Sequence, residues 1–154
     1  MKKGEPMRIS AKGRYALAAI IDMAQQHHNG EYITLLSISE KLGISKIYLE
    51  QVFSLLKRAA LVLSVKGAQG GYQLAQAPEQ LTVLDVLLAV EQALLEPTQE
   101  TVAEKAPAVE AALRLSVFDM LDQAVRTALV GVTIADLVNE TEKHKAQQAM
   151  MFYI

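Results

Sequence analysis

Cysteine is absent from the 154 residues. That absence removes disulfides, thiolate metal sites and a cysteine nucleophile at once, and it agrees with a reducing compartment. No apolar stretch approaches the roughly 18 residues that a membrane span needs. The opening Met1-Lys2-Lys3-Gly4-Glu5-Pro6 has two lysines but no apolar core behind them, so it does not read as a signal peptide. The expectation is a cytoplasmic protein with no membrane contact. Metal-ligand spacing of His, Asp and Glu is also missing, and no serine stands in a nucleophile-elbow context. His27, His28 and His144 therefore read as surface residues, and neither enzyme activity nor a cofactor is expected. There is no internal repeat and no low-complexity tract.

The chain does have apolar content, at 51% of residues, which suffices for a packed core and argues against general disorder. Its length suits one modest domain, or a small domain with an extension used for assembly. The net charge of −2 hides a division. Residues 1–77 hold ten Lys/Arg against five Asp/Glu, a net of +5. Residues 78–154 hold five against twelve, a net of −7. Such asymmetry fits a basic half facing a polyanion, although an uneven solvated surface has the same signature.

Periodicity places the elements. Ser10 can cap a helix to about residue 28, with Leu17, Ile20, Ile21 and Ala24 on one face and Gly30 as its stop. Thr34 caps a short helix over 35–42 that ends at Gly43. Ser45 then caps a third helix, whose Leu49, Val52, Phe53 and Leu56 fall at i, i+3, i+4 and i+7. Two short strands over 61–65 and 72–74 flank a Gly-rich loop, and Pro78 closes the unit. Thr82 to Asp85 resembles a capping box opening a helix with Val83, Val86, Leu87, Val90 and Leu94 inward. Residues 96–105 are polar and acidic and read as a loop. A longer helix is expected from about Pro107 to just before Gly131. Its stripe of Leu113, Val117, Met120, Leu121, Ala124, Ala128 and Leu129 needs a cover, most simply a second copy of itself in a symmetric dimer. Thr133 caps a final short helix.

Residues 44–72 carry the candidate chemistry. Helices two and three, joined by Gly43-Ile44-Ser45, have helix-turn-helix proportions, in which the start of the second helix meets base edges. Ser45, Lys46, Tyr48, Glu50 and Gln51 are its available polar groups, with Lys12 on the first helix. Gln51 suits an adenine edge, Glu50 suits cytosine N4, and Lys46 suits phosphate. An ordinary amphipathic helix has the same spacing, and the adjoining hairpin tips the balance. Its loop holds Gly67, Gly70 and Gly71 between Lys66 and Tyr72, so that a small basic wing can approach a groove or a phosphate. A nucleotide-phosphate loop is the wrong context, because such loops open a helix and this one joins strands. The expected fold is mainly α with a small β-hairpin wing. Residues 1–78 form a winged helix-turn-helix, and residues 79–154 form a helical dimerisation and regulatory region with a C-terminal tail.

Several motifs in order resemble the Rrf2 family of bacterial transcription regulators. They are Ile9-Ser10-Ala11-Lys12-Gly13-Arg14-Tyr15-Ala16-Leu17, Gly43-Ile44-Ser45 with Tyr48-Leu49-Glu50-Gln51, and Lys66-Gly67 to Gly70-Gly71-Tyr72. Leu81-Thr82-Val83-Leu84-Asp85-Val86 and Thr133-Ile134-Ala135-Asp136-Leu137 extend the match over nearly the whole chain. Met7 falls where members commonly begin, so residues 1–6 read as an extension or an upstream start. The resemblance implies a dimeric winged-helix regulator on a pseudo-palindromic operator. It puts Tyr48, Glu50 and Gln51 on the recognition helix and Lys66 to Tyr72 in the wing. The chain departs at Lys66, where arginine is frequent, and at Ile47, where a small polar residue can occur. Both departures bear on which operator is read.

Many members sense iron–sulfur status, redox stress or nitric oxide through three cysteines. The corresponding stretch, about residues 93–114, has none, so that function does not transfer. A cluster-free branch represses cysteine metabolism in Gram-positive bacteria, and this chain is similar to it in 66–72 and in the ending Met151-Phe152-Tyr153-Ile154. That likeness implies O-acetylserine sulfhydrylase (cysteine synthase) as a protein partner. Ile154, presented with Tyr153, would then dock through its carboxylate into the enzyme's substrate pocket. The other reading of this tail is an apolar end folded on the dimer. Two other functions stay open: a winged-helix module that binds protein instead of DNA, and a family regulator of a different regulon.

Overall fold

The computed structural model describes residues 9–26, 30–66, 70–91 and 93–152. Helix α1 (Ala11–Gln25) starts where the Ser10 hydroxyl accepts the Gly13 N–H, and it buries Ala16, Ala19, Ile20 and Met23. It ends at Gln25, with Gln26 as its C-cap. The expected continuation to residue 28 lies outside the described residues. Helix α2 (Leu35–Leu42) is capped by the Thr34 hydroxyl accepting from Ser37 N–H at 3.1 Å. It stops at Gly43, whose φ of 68° and ψ of 28° are left-handed and favour glycine. Helix α3 (Lys46–Arg58) buries the four predicted positions Leu49, Val52, Phe53 and Leu56.

Strands β1 (Val62–Val65) and β2 (Gly71–Leu74) pair antiparallel, with Val62 opposite Leu74 and Val65 opposite Gly71. A third segment, not expected from the sequence, lies beside the hairpin. Ile33 and Tyr72 exchange two backbone hydrogen bonds of 2.8 Å, so the segment before α2 joins the hairpin as an isolated bridge. Helix α4 (Val83–Val90) opens on a complete capping box, in which Thr82 and Asp85 each accept the other's backbone N–H. It stops at Val90, four residues short of the expected Leu94, which instead lies half-buried in the 3-10 turn Ala93–Leu95. There Glu91 leaves helical backbone conformation and accepts the Ser10 N–H across the chain at 2.8 Å.

The predicted long helix is present as one rod of three parts: α5 (Pro107–Leu113), a π turn (Arg114–Phe118) and α6 (Asp119–Val130). Within the π turn the Asp119 N–H donates to the Arg114 carbonyl, an i→i+5 bond. Successive i+4 positions drift around a helix of 3.6 residues per turn, and one wider turn takes up that drift. Leu113, Val117 and Leu121 therefore stay near one line. The last helix is long, not short: α7 (Ile134–Phe152) has 19 residues. Nothing between Ile134 and Phe152 is glycine or proline, and most of the stretch consists of good helix formers, so no residue stops it.

A single core joins α1, α3 and α4 through Ile20, Met23, Leu49, Phe53, Val86 and Val90, with Leu81 and Ile134 from the starts of α4 and α7. The two starts are tied by backbone: Val83 N–H donates to the Val132 carbonyl and Ile134 N–H to the Leu81 carbonyl, at 2.9 and 2.7 Å. The result is the expected mainly helical fold with a two-stranded wing.

Candidate nucleic-acid interface

The turn between α2 and α3 is held from both sides. Ser39 Oγ donates to the Ile44 carbonyl at 2.6 Å, and Ser45 Oγ accepts the Tyr48 N–H at 3.1 Å. This fixes how α3 leaves α2. Because α3 sinks Leu49, Val52, Phe53 and Leu56 into the core, it must present the opposite row, Ile47, Glu50, Gln51 and Ser54, to solvent. Lys46 lies exposed beside the head of this row, and Lys57 and Arg58 lie exposed at its foot.

Of the candidates on this helix, Ser45, Lys46, Glu50 and Gln51 are exposed together. Tyr48 differs. It is half-buried, and its ring meets Tyr15 of α1 edge-on, with centroids 5.2 Å apart and planes at 89°. That T-shaped contact braces α3 against α1. Lys12 sits one turn before Tyr15 on α1 and is half-buried. The sequence reading did not place Ile47 and Ser54 on the outward row. The signal was available, since 47, 50, 51 and 54 repeat the spacing of the buried row two positions earlier.

In the wing, Lys66 is exposed just after β1, and Gly70 is half-buried just before β2. Gly67 lies outside the described residues. Gly71 is buried, and its lack of a side chain has a packing cause: a Cβ there would sit 2.9 Å from the Ile33 carbonyl oxygen. Tyr72 is half-buried against Phe53, with ring centroids 4.8 Å apart and planes at 58°. Both residues therefore set where the wing stands relative to α3. The arrangement is a rigid helix row with a basic strand-end beside it, suited to a groove and the phosphates that edge it.

The rod behaves differently from the core. Asp122, Val125 and Leu129 form the half-buried side of α6, which packs along α4. Leu113, Val117, Met120, Leu121, Ala124 and Ala128 lie exposed on the rod, Met120 at 65% and Leu121 at 52%. Tyr153 and Ile154 lie outside the described residues. Helix α7 leads up to them with Met150, Met151 and Phe152 exposed.

A family model for Rrf2, described as an iron-dependent transcriptional regulator, matches residues 9–140. The chain is 38% identical over 136 residues to the regulator IscR of Erwinia tasmaniensis, covering 88% of this chain and 81% of that one. It is 36% identical over 148 residues to CymR of Bacillus subtilis, covering 96% of this chain and 100% of that one. Two solved structures resemble it about equally. CymR, the global cysteine regulator of B. subtilis, has a TM-score of 0.69 at 32% identity, with 88% of this chain and 98% of that one covered. IscR of T. potens has a TM-score of 0.68 at 33% identity, with 90% of each covered.

The iron in the family description finds no fitting donors. There is no cysteine in the chain, and no group of three His, Asp or Glu among the described residues could hold a metal. In α5, the buried Glu110 carboxylate is already occupied by the loop before the helix. It accepts the Thr101 and Val102 N–H groups, the latter at 3.1 Å, and lies 3.9 Å from Arg114, which also donates to Glu100 at 2.7 Å. A carboxylate clasp thus organises the stretch where many members carry cluster cysteines. No described helix is long and apolar enough to cross a membrane. With the motifs in place and the match nearly complete, the chain belongs to the Rrf2 family: it is a transcriptional regulator and not an enzyme.

Proposed function

We propose that this regulator is a cytoplasmic homodimer that represses genes of cysteine and sulfur metabolism by binding a pseudo-palindromic operator. The observation that carries the DNA-binding part is the outward row of α3, held rigid by its buried counterpart and set beside Lys66 of the wing. In this reading Glu50 and Gln51 read base edges, while Lys12, Ser45, Lys46 and Lys66 hold phosphates. The base of the wing at Lys66 and Gly70 approaches the backbone, and Tyr48 and Tyr72 keep helix and wing in register. Residues 1–78 do the binding. Residues 79–154 dimerise through Leu113, Val117, Met120, Leu121, Ala124 and Ala128, which none of the described residues covers. A twofold axis between two rods would give the two reading helices the symmetry of the operator.

Similarity favours CymR and IscR relatives about equally, so the regulon is argued from chemistry. A chain without cysteine cannot ligate an iron–sulfur cluster through thiolates, and the full-length match to CymR supports the sulfur reading. The deciding experiment is a gel shift with promoters of the host's cysteine-synthesis genes and of its iron–sulfur assembly genes, at two salt concentrations. Tighter binding to the first set supports the proposal, and preference for the second refutes the regulon. The same reading gives O-acetylserine sulfhydrylase as a partner engaging Tyr153 and Ile154, for which the exposed Met150 to Phe152 provide an apolar approach. Unchanged sulfhydrylase binding after deletion of Tyr153 and Ile154, with the dimer intact, would sink that assignment.

A further inference from the structure

We infer that Ile47 is a specificity residue that reads the C5-methyl group of a thymine in the major groove. The inference rests on the DNA-binding reading above and adds to it one base and one kind of contact. Ile47 is 72% exposed. Single exposed apolar residues are ordinary on protein surfaces, so exposure alone argues nothing. Its position does. It heads the outward row of Ile47, Glu50, Gln51 and Ser54, whose other members are all polar, and it stands in the first turn of α3, the part of a reading helix that enters the groove.

Folding gives no account of this side chain. The buried row of α3 is complete without it, and a β-branched residue in the first turn brings no helix propensity that a polar residue would lack. The first turn is already capped by Ser45. In the major groove, the thymine methyl is the apolar feature that distinguishes base edges, and contact with an apolar side chain is how proteins read it. Ile47 lies four residues before Gln51, a rise of about 6 Å at 1.5 Å per residue. Base pairs stack about 3.4 Å apart. The thymine therefore falls within about two base pairs of the pair that Gln51 reads.

The test begins by selecting a duplex from a random library with the full chain. Each thymine of the selected site is then replaced singly by deoxyuridine, which deletes only the methyl group. One thymine per half-site, within two pairs of the position whose preference changes in Gln51→Ala, should bind about fourfold more weakly as uracil, the worth of one buried methyl. Ile47→Ala should weaken the thymine duplex at least as much and bind thymine and uracil at that position equally. A flat uracil scan, or an Ile47→Ala protein that keeps the full uracil penalty, overturns the inference while leaving the DNA reading standing. Failure of the wild-type chain to select any sequence overturns both.

Discussion

Gly71→Ala tests whether the wing is held where the bridge to Ile33 puts it. The added Cβ would meet the Ile33 carbonyl oxygen at 2.9 Å, its carbon at 3.0 Å and its nitrogen at 3.2 Å. All three are backbone atoms, so no flexible side chain can swing away. The segment before α2 and strand β2 must part by a few tenths of an ångström. The two 2.8 Å hydrogen bonds between Ile33 and Tyr72 lengthen as they do. Each is worth about 1 kcal/mol net, so losing most of both costs about 2 kcal/mol. In a chain of this size that lowers Tm by about 4–8 °C. Alanine is not disfavoured by the backbone at Gly71, which has no positive φ, so the cost is one of space alone. Because Tyr72 carries the ring packed on Phe53, the wing shifts relative to α3, and affinity for a selected duplex should fall together with stability. Thermal and urea denaturation give the first quantity and fluorescence anisotropy the second. A Tm within about 1 °C of wild type, with unchanged DNA affinity, would refute the reasoning.

Three further outcomes follow from the same structure. Lys66→Ala should flatten the plot of log affinity against log salt by about 0.9, the contribution of one phosphate contact, and should weaken all sequences alike in anisotropy titrations. Leu121→Asp should convert a dimer into a folded monomer of 16.8 kDa by light scattering, because it puts a charge at the centre of an apolar face that costs the single chain nothing. Glu110→Gln should cost about 1–2 kcal/mol in urea denaturation, since a neutral amide replaces charge-assisted acceptance of the Thr101 and Val102 N–H groups. Amide exchange should then quicken at Thr101 and Val102, and hardly at all in α3.

Local chemistry in the sequence located the starts of the elements well and their ends less well. Ser10, Thr34, Ser45 and Thr82 each cap where expected, because a hydroxyl just ahead of the first helical turn satisfies N–H groups that nothing else can reach. Ends depend on what the chain meets next. Helix α4 stops at Val90, and α7 runs on to Phe152 because no residue there interrupts it. The outward row of α3 was legible in outline from the buried row, which is why Glu50 and Gln51 were expected on its exposed face. Ile47 was not, because an apolar residue on a polar face looks like noise until its exposure is known. The bridge between Ile33 and Tyr72 could not be read at all. It joins residues 39 positions apart by backbone alone, and its one trace is a glycine at 71 that a loop would equally explain.

The proposed division of labour at residue 78 is not a division of cores. Leu81, Val86, Val90 and Ile134, all beyond that point, pack in the same cluster as Ile20, Leu49 and Phe53. Glu91 at the end of α4 also binds the cap of α1, and Tyr15 of α1 braces Tyr48 of α3. Close-packed interiors transmit displacement instead of absorbing it. A partner or a second rod that moves α6 therefore moves α4, and through α4 it reaches the helix that carries Glu50 and Gln51. This continuous packing joins the acidic half to the helix that carries the outward row of α3. The Tyr15–Tyr48 contact gives α3 a second tie, to α1, whose cap Glu91 also holds. Tyr15→Ala should loosen α3 with little damage to the buried core, lowering DNA affinity more than stability. Equal losses of both would mean that the brace serves the fold and not the signal.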